Sequence, residues 1–402
     1  MTDPTPAAAA DGPAGRLRER LADRLTDTGM LRSAAWRTAV TDVPREIFVP
    51  AFFRWSDGPR GTVWTPVTPA SEGADAWLEE VYADETLVTQ LDGAVHPGEV
   101  GGPVGGNPTS SSTLPSLVVR MLEDLNPQDG QRVLEVGTGT GYSTALMCHR
   151  LGSEHVTSVE YDPTAASGAR SALATAGYTP RLIHGDGLLG DEGDGPYDHL
   201  IATCSVRTVP DAWLNRVRAG GTILTTVSGW LHGSGLVRLA VEDGGRAHGR
   251  FLPGTVSFMI ARPHAAPALP DVGVLLRQAA QERRARYGPE VLSDWMLQFL
   301  AQLAVPDAQY LGTSIDGGPV LDHVIDTHDG SFATLVPDGG DGAFRVRQGG
   351  PARLWDRIEA SINVWSRAGS PPQTAFTLTV TPAGQFVTLD TPDGRQRWRL
   401  PA

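Results

Sequence analysis

The sequence predicts an α/β protein: a doubly wound sheet, preceded by N-terminal helices and followed by a C-terminal α+β domain. Three observations predict it. From Gln131 onward, short apolar runs alternate with helical stretches, the pattern of a parallel sheet covered on both faces. A glycine-rich turn, Gly137 to Gly141, joins the first of those runs to a helical stretch. A Pro-rich segment, Arg262 to Pro270, then separates this region from one in which helical patterns and hairpin signals mix.

In chain order, residues 1–15 are rich in Ala, Pro and Asp and are expected to form a disordered tail. They lack a basic start followed by an apolar stretch, so no signal peptide is expected and the cytoplasm is the default location. Arg16–Leu25 and Leu31–Val40 carry apolar residues at helical spacing, and Asp42-Val43-Pro44 closes the second helix. Trp55–Asp75 reads as an irregular connection. A Gly/Pro-rich loop, His96–Pro108, leads through Thr109-Ser110-Ser111-Ser112-Thr113 to a helix opened by Leu114-Pro115 and ending near Leu125. Residues 16–130 are therefore expected to be a helical and substrate-lid region.

Residues 131–262 form the expected core. Its strands are Val133–Val136, Val156–Glu160, Arg181–His184, Leu200–Cys204 and Gly221–Val227, with Leu236–Val241 and Thr255–Ala261 antiparallel at the edge. Residues 263–270 are the linker, and 271–402 the C-terminal domain. That domain shows helical patterns at Val274–Tyr287, Val291–Leu303 and Pro351–Ala368. Strand pairs are expected around Asp329-Gly330 and Pro382-Ala383-Gly384.

Composition narrows the function. Net charge is −13, which argues against a nucleic-acid partner, and no apolar run approaches the ~18–20 residues that span a bilayer. All 33 basic residues are Arg, so Schiff-base lysines and a P-loop lysine are excluded, while fork-like recognition of an acidic peptide is not. Cys148 and Cys204 are far apart and read as small buried hydrophobes; no metal site is expected.

The chemistry concentrates at Glu135-Val136-Gly137-Thr138-Gly139-Thr140-Gly141-Tyr142. Dinucleotide-binding turns share such glycines. Here, however, the spacing is G-x-G-x-G, an acid sits two positions before the first glycine, and a second acid, Glu160, ends the next strand. A carboxylate at Glu135 suits a ligand with a cationic amino-acid group and is poorly placed beside a pyrophosphate. Glu160 can accept from two ribose hydroxyls, and Asp186, at the end of the third strand, can meet an adenine amino group. Singly, each has a bland alternative as a surface carboxylate or turn glycine; the joint order and spacing favour a cofactor site.

Together with their surroundings these residues resemble the protein-L-isoaspartate O-methyltransferase family. The resemblance runs from Arg16 to Arg262. It includes Val43-Pro44-Arg45-Glu46-Ile47-Phe48-Val49-Pro50, Tyr82-Ala83-Asp84, Ser112-Thr113-Leu114-Pro115, Gly185-Asp186-Gly187, Pro196 to Thr203, Val209-Pro210 and Ala219-Gly220-Gly221. It implies a class I methyltransferase sheet and S-adenosylmethionine as cofactor. The implied contacts are Glu135, Gly137, Thr138, Gly139, Gly141, Tyr142, Glu160, Tyr161, Asp186, Gly187 and Thr203. Thr113 and Leu114 stand where the family has Ser and Gln, Phe52–Leu78 looks like an insertion, and the region after Pro270 has no counterpart in the short repair enzymes. With Thr109–Ser112, Gln90-Leu91-Asp92-Gly93 and Gly249–Pro253, the arrangement is similar to the branch associated with ATP-grasp peptide (graspetide) maturation. That branch implies a modified precursor peptide as substrate, an ATP-grasp ligase as possible partner, and an aspartyl methyl ester that closes to aspartimide. Repair of isoaspartate in damaged proteins is the alternative, and a non-catalytic cofactor-binding protein a third. The C-terminal domain is expected to recognise the peptide.

A carboxylate, with a pKa of about 4, needs no general base to accept a methyl group. His149, His184 and His199 accordingly show no partner pattern and read as structural. Thr113, helped by Ser112, is the candidate for orienting the substrate carboxylate; the other expectation for Thr113 is an N-cap of the following helix.

Overall fold

The computed structural model describes residues 12–58, 61–190, 193, 195–269, 271–314, 320–339 and 342–401. Of the tail expected at 1–15, residues 1–11 lie outside this range, and Pro13–Gly15 already belong to the first helix, Pro13–Asp27. Pro at its start fits, because an N-terminal helical residue has no N–H partner to lose. The chain divides into two compact units, residues 1–203 with 215–224, and residues 204–214 with 225–402. The stretch expected as a linker lies inside the second unit and carries a 3-10 turn at Arg262–His264.

The first unit holds the parallel sheet. Strands β1 (Phe52–Gly58), β2 (Gly61–Val67), β3 (Leu87–Leu91) and β4 (Pro108–Ser112) build a small antiparallel sheet in the order β2-β1-β3-β4. One expectation fails here. Trp55–Asp75, expected as an irregular connection, contains most of a hairpin, with Phe52 opposite Val67 and Trp55 opposite Trp64; Thr109–Ser112, for which no element was expected, lies in a strand. Phe53 and Trp64 are buried with Val88 and Leu91, and that burial outweighs the loop-like composition. Residues 59 and 60, between the two strands, lie outside the described range.

Strands β5 (Val133–Val136), β6 (Val156–Glu160), β7 (Arg181–His184), β8 (Tyr197–Val206) and β9 (Val217–Val227) follow, in the order β7-β6-β5-β8-β9. β5 pairs in parallel with β6 and with β8, and β6 with β7. The chain winds outward from β5 to β7, then returns to β8 on the other side of β5. The carboxyl ends of β5 and β8 therefore flank the point where winding reverses, the place where such sheets leave a ligand crevice. Helices Tyr142–Leu151 and Pro163–Thr175 are the crossovers. β5 is buried throughout, because both faces are covered.

The second unit contains β10 (Gly235–Glu242) and β11 (Arg246–Phe251), an antiparallel hairpin turned by Asp243-Gly244-Gly245, both glycines having positive φ. The partner of β10 is thus β11, and Thr255–Ala261, expected as a strand, forms only a single bridge between Ile260 and Ser205. A second sheet has the order β12-β16-β15-β14-β13. Its strands are β12 (Ala280–Arg284), β13 (Ala308–Thr313), β14 (Leu321–Asp326), β15 (Ser331–Pro337) and β16 (Phe344–Gly349). The helix expected over Val274–Tyr287 is short, Val272–Leu276, because β12 claims the next residues. Val291–Leu303 holds the end of a 3-10 turn, Pro289–Leu292, and most of the helix Trp295–Ala304, while Pro351–Ala368 forms the helix Leu354–Arg367. β17 (Thr377–Thr381), β18 (Gly384–Thr391) and β19 (Gly394–Arg399) form a meander beside β11. Phe299 packs edge-on against Phe251 and Phe376, at 5.2 and 5.5 Å between centroids, and Trp355 is fully buried. Phe251, Phe299, Phe376 and Trp355 are core, whereas Trp295, Trp365 and Trp398 are half-buried.

Candidate active site

The glycine turn leaves β5 at Val136 and enters a helix at Tyr142. Gly137, Gly139 and Gly141 have φ of 97°, 54° and 91°. The left-handed region suits glycine, and at Gly141 space forbids more, since a Cβ would stand 3.3 Å from Ala169 Cβ.

Glu135 is fully buried beneath this turn. Its carboxylate accepts from Ser143 Oγ and Thr144 Oγ1 at 2.5 Å and from Ser158 Oγ at 2.7 Å. Burial raises its pKa, against the pull of the three hydroxyls and with a further push from Glu160. Both Glu135 oxygens are thus held by hydroxyls from the following helix and from β6. Thr138 is likewise turned inward, 2.6 Å from Ser158 Oγ.

Glu160 ends β6 with both oxygens engaged by backbone. Oε2 accepts the Gly139 N–H at 2.7 Å and Oε1 the Asp162 N–H at 2.9 Å. Each carboxylate oxygen retains a lone pair, so the group is oriented and still able to accept. Asp186 caps the turn Gly187–Leu189, Oδ1 taking the Leu188 N–H at 2.9 Å. Gly187 packs on β5, where a Cβ would stand 2.5 Å from Val136 Cγ1. Thr203, at the end of β8, donates to the carbonyls of Val136 and Gly137 and so fixes the turn from the far side of the crevice. Tyr161 is 46% exposed. Tyr142 departs from expectation: it is buried against Phe48, with Arg45 over its ring at 5.6 Å, and serves packing. Its place as first residue of a helix points the ring into the core.

The Ser112–Thr113 segment is brought to this turn by β4. A Cβ on Gly139 would meet the Ser111 carbonyl oxygen at 3.4 Å, so β4 passes the turn with room for about one methyl group between them. Ser112 is buried, with its Oγ 3.4 Å from Arg45 Nη2. Thr113 does not cap the helix: Leu114 occupies the cap position, its N–H donates to Thr86 Oγ1 at 3.2 Å, and Asp84 takes the Ser116 N–H at 2.8 Å. The Thr113 hydroxyl makes no hydrogen bond among the described residues.

Sequence reasoning assigned no role to three residues that hold this arrangement. Arg45 is fully buried and donates to the carbonyls of Val81, Ala83, Glu85 and Thr113 at 2.6 to 3.3 Å; burial lowers its pKa to about 10. Asp162 caps the helix Pro163–Thr175 through Oδ1 and accepts from Gln90 Nε2 at 3.1 Å through Oδ2. Gln90 in turn accepts from Thr109 Oγ1 at 2.8 Å, tying both ends of the 92–108 loop to the cofactor turn. The Asp162-Pro163 pair is a readable helix start; Arg45 and Gln90 stand in motifs of the resemblance, but the motifs do not tell what their side chains hold. Beside Gly139 and Thr140 a cleft of about 460 Å³ opens between Ile47, His96 and Ala165.

Among the described residues no helix is long and apolar enough to cross a membrane. The family model for protein-L-isoaspartate(D-aspartate) O-methyltransferase matches residues 97–241. A protein-L-isoaspartate O-methyltransferase of Methanopyrus kandleri is 30% identical over 215 residues, 53% of this chain and 77% of the relative. That of Staphylothermus marinus is 31% identical over 218 residues, 52% of this chain and 79% of the relative. A solved structure titled protein-L-isoaspartate O-methyltransferase shares the fold, with TM-score 0.50 and 22% identity over 92% of this chain and 99% of its own. That span reaches well beyond residue 262, so a region following the core is not peculiar to this chain. From the turn at 137–141, the acids at 135 and 160, and this likeness across the core, the chain belongs to the protein-L-isoaspartate O-methyltransferase family.

Proposed function

We propose that this enzyme methylates an aspartate side chain in a ribosomally made peptide already cyclised by an ATP-grasp ligase, giving an ester that closes to aspartimide and can open to isoaspartate. The chain is an S-adenosylmethionine-dependent carboxyl O-methyltransferase. The cofactor supplies a methyl group on a cationic sulfur. The donor set suits it: Glu160 is held ready to accept from ribose hydroxyls, Asp186 keeps Oδ2 for an adenine amino group, and the buried Glu135 sets a negative field under the turn.

The observation that carries the reading is the approach of β4 to the cofactor turn, 3.4 Å from Ser111 O to the Cβ position of Gly139. Thr113, two residues after Ser111 and capping nothing, is on this reading the hydroxyl that orients the substrate carboxylate. A substrate carboxylate oxygen bonds to the methyl carbon while the carbon–sulfur bond breaks and its electron pair stays on sulfur; no proton moves. The chain's contribution is then alignment and exclusion of water, worth about 7–11 kcal/mol when geometry is right. In the product ester, the amide nitrogen of the next residue attacks the carbonyl, methanol leaves, and a five-membered ring forms.

The finer substrate assignment is supported by the departures at Thr113 and Leu114 and by the Thr109–Ser112 strand. Repair of isoaspartyl residues is favoured by the names of the relatives and by the solved methyltransferase that matches 92% of this chain. Incubation with labelled cofactor separates them. Label on the cyclised peptide alone supports maturation, label on a linear isoaspartyl peptide supports repair, and label on neither supports a binding protein.

A further inference from the structure

We propose that the second unit carries a docking cleft for an extended, carboxylate-rich peptide segment, built beside the terminal strand β12. The inference rests on the peptide-methyltransferase reading, since it names the feature of that substrate which this unit holds.

In a chain of net charge −13, residues 283–286 read Arg-Arg-Ala-Arg. Arg283 is spent on the fold, paired with Asp356 and, at 2.8 Å, with Glu359. Arg284 and Arg286 are exposed and form no ion pair among the described residues. Arg284 lies in register with Arg345 of β16, and like charges directly opposite on a sheet destabilise it. Arg345 is relieved by Glu282 at 3.6 Å and Asp338 at 4.0 Å; Arg284 is not.

Beside these two guanidinium groups opens a cleft of about 550 Å³, with Tyr287 and Phe344 among its walls. The carboxylate that lines it, Glu290, is turned to the backbone and takes the Gly288 N–H at 2.7 Å. The cleft is therefore electropositive, with aromatic surface for the stems of side chains. β12 is the last strand of its sheet, but on its open side the Arg284 carbonyl already accepts from Arg283 Nη1 at 3.0 Å and the Arg286 N–H donates to Glu359 Oε1 at 2.7 Å, so a bound segment is held through the side chains of the cleft. Arg284 ends β12 and Arg286 lies just past it; both line the cleft, so a peptide carrying more than one carboxylate can engage the two guanidinium groups together. The competing account is that these arginines only guard an open sheet edge against aggregation.

Fluorescence anisotropy on the full chain decides. The probe is a fluorescein-labelled peptide of about 12 alternating Thr and Glu residues, compared with its Thr/Gln counterpart. The Glu probe should bind at least about tenfold more tightly and weaken as salt rises, and Arg284→Ala with Arg286→Ala should remove about tenfold of that affinity. Calorimetry with S-adenosylhomocysteine on the same samples should show unchanged cofactor-site binding in the variant. Equal affinity for both probes, no binding of the Glu probe, or undiminished binding by the variant overturns the proposal and leaves edge protection as the role. Loss of S-adenosylhomocysteine binding and label transfer in the unaltered chain overturns the methyltransferase reading instead.

Discussion

Replacing Glu160 with Gln separates a loop strut from a ligand group. In the structure both carboxylate oxygens hold backbone donors, Gly139 N–H at 2.7 Å and Asp162 N–H at 2.9 Å. A Gln side chain has one acceptor, and its amide nitrogen then confronts an N–H. One charge-assisted bond is lost, about 1.5–3 kcal/mol, and the other survives as a weaker neutral bond. For a unit of this size, thermal unfolding should move down by about 3–10 °C. If Glu160 also accepts from the ribose, S-adenosylhomocysteine should bind about 10–100-fold more weakly, equivalent to about 1.4–2.8 kcal/mol. Isothermal calorimetry and differential scanning calorimetry on the same sample give both numbers. A lowered melting temperature with cofactor-product affinity within about twofold of the parent would falsify the ribose assignment and leave Glu160 a strut.

Three further outcomes are expected. Thr113→Val should lower kcat by about 10–100-fold with S-adenosylhomocysteine affinity unchanged, since it removes a hydroxyl that neither caps the helix nor touches the cofactor turn; unaltered turnover removes Thr113 from the mechanism. Arg45→Met should cost about 3–5 kcal/mol in urea unfolding, because the carbonyls of Val81, Ala83, Glu85 and Thr113 lose their shared donor in the core; a loss below about 1 kcal/mol would show that water replaces it. Glu135 has a raised folded-state pKa, so its contribution is fully present below its unfolded value of about 4.3 and is lost as pH rises through the folded value. Glu135→Gln should therefore gain in melting temperature relative to the parent as pH goes from about 5 to about 8, and a gap that stays constant would contradict the assignment.

The sequence by itself determined the parallel core. β5, β6 and β7 appear with the expected bounds; β5 and β6 are buried throughout and leave a strong local pattern, and the turn at 137–141 is legible because glycine spacing encodes backbone conformation directly. It also marked the acids at 135, 160 and 186. What it left open was what each side chain faces. Glu135 and Thr138 turn inward, Tyr142 packs on Phe48, and Thr113 leaves the helix cap to Leu114, Thr86 and Asp84. Those outcomes depend on partners 20 to 100 residues away, as when Arg45 finds Ser112 67 residues on and Gln90 finds Asp162 72 residues on. The same holds for the hairpin of β1 and β2 and for β12, whose compositions suggest loop and helix. Burial on Val88 and Leu91 in one case, and pairing with β16 in the other, stabilise strands that local propensity does not. Backbone conformation is written locally; the direction of a side chain is settled by what packs against it.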